Sequence, residues 1–330
     1  MASAGYAVPP PENPVGNLSM LPRPLIIDCD PGVDDAIALL LAFASPAEFD
    51  LLGITTVAGN VPLALTQANA RRICHLAQRT DVPVYAGCPR PLLRSLTTAE
   101  DIHGATGLQG TDLPEPTLPL QSQHAVAFLI EQLTTTSVPI TLATLGPLTN
   151  LAVALIQCPA IAQGIGQVVM MGGSLGAGNI TPAAEFNIYV DPHAAKVVVD
   201  AGLPLTMIGL DVTHQVVTTP DRLAALEALG TPVGKAAAGM LCYYGQLDVE
   251  RHGLTAPPLH DPCVIAYLLR PDLFAGRPMY LAIETEGTLC LGRTVANDHP
   301  TPTDPANATV IETADADGIY ALLIERLGKL

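Results

Sequence analysis

Residues 26–36 read IIDCDPGVDDA. They place four aspartates within eight positions, at Asp28, Asp30, Asp34 and Asp35. The apolar run before them predicts a strand that ends near Asp30, and the Pro31–Gly32 pair predicts a turn into a helix that begins near Asp34. Side chains two apart on a strand point to the same side of the sheet, as Asp28 and Asp30 would. A strand, a turn and a helix in this order indicate a parallel α/β sheet, whose ligands bind beyond the carboxyl ends of the strands.

The same alternation of short apolar runs and helix-like segments continues over most of the chain. Strands are predicted at 25–30, 51–57, 82–87, 139–146, 167–173, 204–210, 279–285 and 308–313. Helices are predicted at 34–43, 62–79, 121–133, 147–156, 192–201 and 317–328. The predicted fold class is therefore α/β, a mainly parallel, Rossmann-like central sheet with surrounding helices, in a single domain over residues 25–330.

The N-terminal stretch is predicted to be separate from this domain. Residues 1–24 hold five prolines before Arg23 and do not resemble a secretory signal, so we interpret them as a flexible leader. The longest apolar run, at 36–44, is far shorter than the ~20 residues needed to cross a bilayer. Seven cysteines without a CxxC pair fit a reducing compartment. We therefore predict a cytoplasmic protein with no membrane partner.

The charge balance restricts the class of ligand. The formal net charge is −16, whereas a nucleic-acid backbone is bound by a basic surface. Nucleic acid is therefore not expected as a partner. A small neutral molecule or a cation is favoured.

The aspartate cluster points to a hard cation. A helix dipole stabilises a carboxylate in the first turn by only ~0.3–1 kcal/mol, which does not offset the repulsion of four carboxylates in a partly dry site. Calcium takes six to eight oxygen ligands, and Asp30 and Asp35 with a distant group would supply several. Adjacent helical residues lie about 100° apart around the axis, so Asp34 and Asp35 cannot both face the ion in the same way. One of the pair is then free for another task.

Two other interpretations of these residues are open. An aspartate pair at a helix start is usually capping and solvation. A DxD motif after a strand also opens the haloacid-dehalogenase-type phosphatases, which use the first aspartate as nucleophile. Against the phosphatase, Asp30 is followed by Pro-Gly-Val, and only GLD at 209–211 resembles a downstream acidic motif.

Seven segments in order resemble the nucleoside hydrolase family. They are DCDPGVDDA at 28–36, AGN at 58–60, IHGATGLQG at 102–110, LGPLTN at 145–150, MMGG at 170–173, GNITPAAEFNIYVDPHAA at 178–195 and HDPC at 260–263. The resemblance implies the family's fold and hydrolysis of the N-glycosidic bond of ribonucleosides at a bound calcium ion. It also implies a homodimer or homotetramer.

The resemblance assigns roles around the metal. Asp30, Asp35 and Asp261 match calcium-ligating aspartates, and Leu145 matches a position that ligates through its main-chain carbonyl. Asp34 matches the general base, in agreement with the helical-angle argument. Asp28 is expected to support these ligands from behind.

The resemblance also assigns roles around the substrate. His260 matches the proposed acid for the leaving base, a role that suits a histidine titrating near neutral pH. The ribose-binding candidates are Asn60, Met171, Asn179, Glu185 and Asn187. The spacing of Glu185 and Asn187 suits an extended backbone that presents both side chains to one side.

The nucleobase contacts are less defined. His103 in the glycine-rich loop and Tyr244, Gln246 and His252 in the helical region before HDP are candidates. The chain has no tryptophan, so an indole sandwich around a purine is excluded. We therefore predict an inosine/uridine-preferring or pyrimidine-preferring enzyme. A non-catalytic nucleoside- or ribose-binding protein on the same scaffold is the alternative.

Overall fold

The computed structural model describes the backbone of residues 21–252, 255–299 and 301–330, and their side chains except those of 245–252. Most of the predicted leader therefore lies outside the described residues. The first strand begins at Arg23. None of the helices in these ranges has the length and apolar character that crossing a membrane requires.

The described strands form one sheet. They are β1 (Arg23–Cys29), β2 (Phe49–Thr56), β3 (Val84–Ala86), β4 (Ile140–Thr144), β5 (Ile165–Met171), β6 (Leu205–Ile208), β7 (Phe274–Ile283), β8 (Thr294–Asn297) and β9 (Ala308–Ala314). Their order across the sheet is β3-β2-β1-β4-β5-β6-β9-β7-β8. The pairs from β3 to β9 are parallel, whereas β7 is antiparallel to both β9 and β8. The prediction of a mainly parallel α/β sheet is confirmed.

Helices cover both faces of the sheet. They are α1 (Val33–Phe43), α2 (Leu63–Leu76), α3 (Glu100–His103), α4 (Ala125–Thr135), α5 (Thr149–Gln157), α6 (Phe186–Val190), α7 (Pro192–Val199), α8 (Leu210–Thr213), α9 (Pro220–Glu227), α10 (Pro232–His252), α11 (Pro262–Leu269) and α12 (Ala316–Leu327). The six predicted helices match α1, α2, α4, α5, α7 and α12. The short α3, α6 and α8 were not predicted, because helices of one turn carry almost no periodicity.

The central strands are buried on both faces, which explains their continuous apolar runs. On β1, Leu25 and Ile27 pack into the core on one face with α1 and α11. Ile26 packs into the core on the opposite face with α4 and α5. The alternation follows from the two-residue period of a strand.

The strand order reverses direction between β1 and β4, and this reversal positions the site. Moving outward from β1, one side continues to β2 and β3 and the other to β4 and β5. Leu145, just after β4, donates its main-chain N–H to the carbonyl of Asp28 at 2.8 Å. A crevice opens at such a switch point, beyond the carboxyl ends of the strands. The aspartate turn lies there.

Candidate active site

The aspartate turn joins β1 to α1 and is held by its own carboxylates. Asp35 Oδ1 accepts the main-chain N–H of Asp30 at 3.1 Å, and Asp35 Oδ2 accepts that of Gly32 at 3.0 Å. These N–H groups belong to the turn and to the residue before α1, where helical hydrogen bonds do not yet supply partners. Asp35 therefore fixes the shape of the turn as well as contributing charge.

A third element brings a carboxylate from far along the chain. Asp261 precedes α11, and one carboxylate oxygen each from Asp34, Asp35 and Asp261 lie within 4.8 Å of one another. The angular separation of Asp34 and Asp35 on α1 therefore does not keep their oxygens apart, since each side chain reaches beyond its Cβ. Asp30 lies outside this trio and is fully buried. Its Oδ1 has no hydrogen-bond partner within the part of the chain that the structure describes.

The buried carboxylates of the cluster repel one another when they are ionised. Burial, and after it the carboxylate of Asp35, raise the pKa of Asp34 to about 8. Burial and the neighbouring carboxylates hold the pKa values of Asp30 and Asp261 well above the ordinary range. Carboxylates packed this closely must take up protons or bind a cation. The donors are all oxygens and one of them is an unpartnered buried carboxylate oxygen, so the residues fit a hard ion such as Ca²⁺.

Two glycines leave room for the Asp30 carboxylate. A Cβ atom on Gly59 would overlap Asp30 Oδ2, and one on Gly146 would overlap Asp30 Oδ1. Gly59 follows β2 and Gly146 follows β4, so Asp30 is enclosed by the loops after the two strands that flank β1. This close approach is the physical reason for glycine in both the AGN and GPLTN segments.

Asn60 connects β2 to the aspartate turn. Its main-chain N–H donates to Asp30 Oδ2 at 2.7 Å, and its side-chain amide donates to Asp35 Oδ2 at 3.1 Å. The amide also donates to the carbonyl of Asp30 at 3.2 Å. The structure therefore places Asn60 against the aspartates, with its nitrogen already engaged by protein atoms.

Asn187 connects the ends of β4 and β5. Its amide donates to the carbonyl of Leu145 at 2.8 Å and to that of Met171 at 3.2 Å. A carbonyl oxygen has two lone pairs, so the Leu145 carbonyl keeps one for another partner. Asn187 thereby orients the main-chain oxygen for which the sequence predicts a metal-ligand role.

The extended backbone expected for the segment at 185–187 is wrong. Glu185 is the N-cap of α6, and its carboxylate accepts the main-chain N–H groups of Asn187 and Ile188 at 2.8 and 3.1 Å. A carboxylate at a helix start satisfies N–H groups that the helix leaves free, which stabilises a short helix here. Burial raises the pKa of Glu185 to about 7. Asn179 Oδ1 accepts the N–H of Phe186 at 2.9 Å, so both residues anchor α6.

His103 lies at the end of α3 and reaches back to α1. Its Nδ1 accepts the main-chain N–H of Val33 at 3.1 Å and lies 4.0 Å from Asp34 Oδ1. Burial lowers the pKa of His103 to about 4, so the ring is neutral and carries its proton on Nε2. The ring of Tyr244 lies 5.4 Å away at a tilt of 40°.

His260 is oriented by a residue that the sequence prediction missed. Its Nδ1 lies 2.8 Å from the hydroxyl of Thr213, which is fully buried at the end of α8. The ring of the next residue, His214, lies 5.8 Å from that of His260. Thr213 and His214 follow β6, as Asp30, Asn60 and Leu145 follow β1, β2 and β4. That shared placement is the sequence feature that identifies them.

A cavity of about 250 Å³ opens over these side chains. Eleven of the predicted residues line it, namely Asp34, Asn60, His103, Leu145, Met171, Asn179, Glu185, Asn187, Tyr244, His260 and Asp261. Asp30 and Asp35 do not line it and are fully buried. The sequence prediction missed the apolar wall formed by Ala99, Ile102, Ile180 and Phe186.

The remaining predicted residues lie away from the cavity or outside the described part. Asp28 Oδ1 accepts the Thr55 hydroxyl at 2.6 Å and the Asn150 amide at 2.7 Å, so its hydrogen bonds lead to β2 and α5 rather than to Asp30 or Asp35. Burial raises the pKa of Asp28 to about 6. The side chains of Gln246 and His252 lie outside the described residues.

The chain is similar to known proteins over nearly its whole length. The family model described as inosine-uridine preferring nucleoside hydrolase matches residues 25–321. A pyrimidine-specific ribonucleoside hydrolase, RihA of Photobacterium profundum, is 46% identical over 93% of this chain and 99% of the relative. Two solved structures cover 93% of the chain. The plant nucleoside hydrolase PpNRh1 is 34% identical, with a TM-score of 0.85 and 99% of its chain covered. A purine-preferring ribonucleoside hydrolase from Gardnerella vaginalis is 32% identical, with a TM-score of 0.87 and 98% of its chain covered.

Proposed function

This chain belongs to the inosine-uridine preferring nucleoside hydrolase family, and from that premise we propose that it is a calcium-dependent hydrolase with a preference for pyrimidine ribonucleosides. The products are the free base and ribose. The observation that carries the proposal is the convergence of Asp34, Asp35 and Asp261 within 4.8 Å, with Asp34 and Asp261 lining the cavity. Polar side chains suited to a sugar, among them Asn179 and Glu185, line the same cavity.

Asp30, Asp35, Asp261 and the Leu145 carbonyl would hold the ion. Calcium, when bound, would supply a positive charge that lowers the pKa of a neighbouring water, and it would attract hydroxyl oxygens. Asp34 accepts the proton of the water that attacks C1′ of the ribose. The raised pKa of Asp34 would keep it protonated in an uncompensated cluster, whereas a nearby cation favours its ionised, basic form.

The leaving base takes a proton from the opposite side of the reaction. His260 lines the cavity, and its Nδ1 lies 2.8 Å from the hydroxyl of Thr213, which holds the imidazole ring in place. Glycoside hydrolysis needs one group for the water and one for the leaving group, and Asp34 and His260 fill these roles. A non-catalytic binder has no use for such a pair, so the geometry favours turnover over mere binding.

The base preference is supported by the relatives. RihA of Photobacterium profundum carries a pyrimidine-specific name, while the Gardnerella vaginalis structure carries a purine-preferring one. We infer pyrimidine preference because the sequence is closer to the first, at 46% against 32% identity. His103 and Tyr244 are the candidates for base contact. Cytoplasmic location and a homodimeric or homotetrameric state stay predictions.

The test is a panel of initial rates on uridine, cytidine, inosine, adenosine, 2′-deoxyuridine and uridine 5′-monophosphate. We expect release of free base fastest from uridine and cytidine. Exhaustive chelation should abolish it, and added Ca²⁺ should restore it. The panel would contradict the base preference if inosine and adenosine were cleaved fastest. Full activity in chelated buffer would refute the role of calcium.

Asp34→Asn gives the matched test of the general base. We expect kcat to fall by about 10²–10⁴-fold, the usual contribution of a positioned proton acceptor. Asp28→Asn is the control, because Asp28 is equally buried on the neighbouring strand but does not line the cavity. Equal losses in the two variants would show that the effect of Asp34→Asn is structural.

A further inference from the structure

One loop segment links the aspartate turn to the helix that carries Tyr244. This segment, residues 103–110, is fastened to the turn at two points. His103 Nδ1 accepts the N–H of Val33 at 3.1 Å. The buried amide of Asn69 on α2 donates to the carbonyls of Pro31 and Thr106, at 3.0 and 2.7 Å. The near end of the segment therefore keeps a set position relative to the carboxylates.

The far end of the segment packs directly on the backbone of α10. Gly110 has φ +96°, and a Cβ atom there would overlap the carbonyl of Gly239 and lie 2.9 Å from the Cβ of Tyr243. A Cβ atom on Gly239 would in turn overlap the carbonyl oxygen of Gly110. Gly239 and Tyr243 are one helical turn apart on the same face of α10, so Gly110 packs into the space that Gly239 leaves open.

The two contacts together determine a distance across the cavity. His103 belongs to the segment and Tyr244 belongs to α10, and their rings lie 5.4 Å apart where both line the cavity. Because His103 is fastened to the aspartate turn, the approach of α10 to the segment is one determinant of this ring separation. The ribose candidates Asn179, Glu185 and Asn187 lie on other elements, in or just before α6.

We propose that the reciprocal contact between Gly110 and Gly239 is a specificity-determining joint that sets the separation of His103 and Tyr244 and so the width of the nucleobase half of the cavity. The proposal rests on the proposed function, since it assigns these two rings to the base. Carbon and oxygen atoms that are not bonded prefer about 3.3 Å or more, so a methyl group at either glycine must move main chain. A displacement of roughly 1 Å near a substrate is enough to affect catalysis.

Gly239→Ala tests the joint from the helix side. Alanine is intrinsically better than glycine inside a helix, so α10 itself is not weakened. We expect KM for uridine to rise about 10-fold, as expected for a lost fit in an apolar pocket, with a smaller change in kcat. We expect the inhibition constant for ribose to stay at its original value, because the ribose candidates Asn179, Glu185 and Asn187 lie on elements that the Gly110–Gly239 contact does not include.

Gly234→Ala is the matched control. Gly234 lies on the same helix, and its Cβ would meet the Leu226 carbonyl and the Leu229 Cβ, both at 2.8 Å, away from the segment. This variant also packs a methyl group against neighbouring atoms, but we expect an unchanged KM for uridine. Equal increases in KM for the two glycine variants would overturn the joint, because the effect would then be a general loss of packing around α10.

Gly110→Ala approaches the same contact from the loop side. If both substitutions act by disturbing the same contact, KM for uridine in the Gly110→Ala/Gly239→Ala double variant rises by less than the product of the two single increases. Independent effects, or a rise in the ribose inhibition constant equal to that in KM, would overturn the proposal. If the wild-type protein cleaves uridine and the Gly239→Ala variant has the same KM for uridine, the joint is overturned and the proposed function stands. A wild-type protein that cleaves no ribonucleoside overturns the proposed function and the joint with it.

Discussion

The side-chain amide of Asn187 donates to the main-chain carbonyl of Leu145 at 2.8 Å. A residue predicted to bind ribose therefore contacts the carbonyl of a predicted metal ligand. A group that orients a metal ligand without touching the metal commonly contributes 10–100-fold to affinity, so sugar binding and ion binding should depend on each other here.

Asn187→Ala is expected to weaken Ca²⁺ binding by about 10–100-fold in addition to impairing turnover. The reason is that the Leu145 carbonyl loses the hydrogen bond that orients it. Isothermal titration of chelated protein with Ca²⁺ measures the effect. Asn179→Ala is the control, because Asn179 bonds to Phe186 rather than to Leu145 and should leave Ca²⁺ affinity intact.

Gly146→Ala is expected to abolish ion binding while leaving the fold in place. Its methyl group would displace the Asp30 carboxylate, which Gly146 otherwise accommodates. Calcium titration and circular dichroism together check both parts of the prediction. Gly166→Ala, on exposed β5 backbone with its nearest neighbour at 3.1 Å, should bind the ion normally. Normal affinity in Gly146→Ala would show that Asp30 is not a ligand.

Thr213→Val is expected to slow uridine cleavage more than cleavage of p-nitrophenyl riboside, whose leaving group needs no proton. The substitution removes the hydroxyl that engages His260 Nδ1 and keeps the side-chain shape. His260→Ala should show the same difference, and larger. Thr218→Val is the control, because it also removes a buried threonine hydroxyl, one that is hydrogen-bonded to the Tyr320 hydroxyl. It should leave the cleavage rates of both substrates unchanged. Equal slowing of both substrates by Thr213→Val would argue against a role through the leaving group.

The stabilisation of the protein by Ca²⁺ is expected to grow with pH. A carboxyl whose pKa is higher in the folded chain stabilises the fold while protonated, and this contribution is lost as pH rises towards the folded value. For Asp34, whose pKa rises from 3.8 to about 8, this stabilisation is lost between about pH 3.8 and pH 8 when no cation is bound. Thermal unfolding with chelator and with Ca²⁺ should therefore differ more at pH 8.5 than at pH 6. An equal difference at both values would refute the linkage to the carboxylates.

His103→Ala is expected to raise KM for uridine and to lower the free energy of unfolding by about 1–3 kcal/mol, because the Val33 N–H loses its acceptor. The shape of the activity profile between pH 5 and 8 should not change, since burial lowers the pKa of His103 to about 4 and the ring is neutral throughout. The neutral His103 ring stabilises the folded protein, and this stabilisation is lost only as pH falls from 6.5 through about 4. His75→Ala, at an exposed position on α2, is the control.

Much of the architecture could be predicted because its determinants are local. The run before Asp30 is apolar and β-branched because β1 is buried on both faces, and the turn at Pro31–Gly32 ends it. β8 could not be predicted, since only Thr294 of its four residues is buried and apolar residues do not alternate along it. The helix at Phe186–Val190 was missed for a related reason. It depends on the Glu185 carboxylate as a cap rather than on periodicity.

The sequence by itself determined the parallel α/β class, the family and the residue types of the site, because strand, turn and helix patterns and ordered motifs are properties of neighbouring residues. Only the tertiary structure decided which oxygens meet. Asp261 reaches Asp34 and Asp35 because the order of the strands brings α11 beside α1. Asn187 acquires its contact with Leu145 because β4 and β5 are adjacent and their ends lie at one edge. Distances between residues far apart in the chain depend on packing, and packing is not written in any single stretch of the sequence.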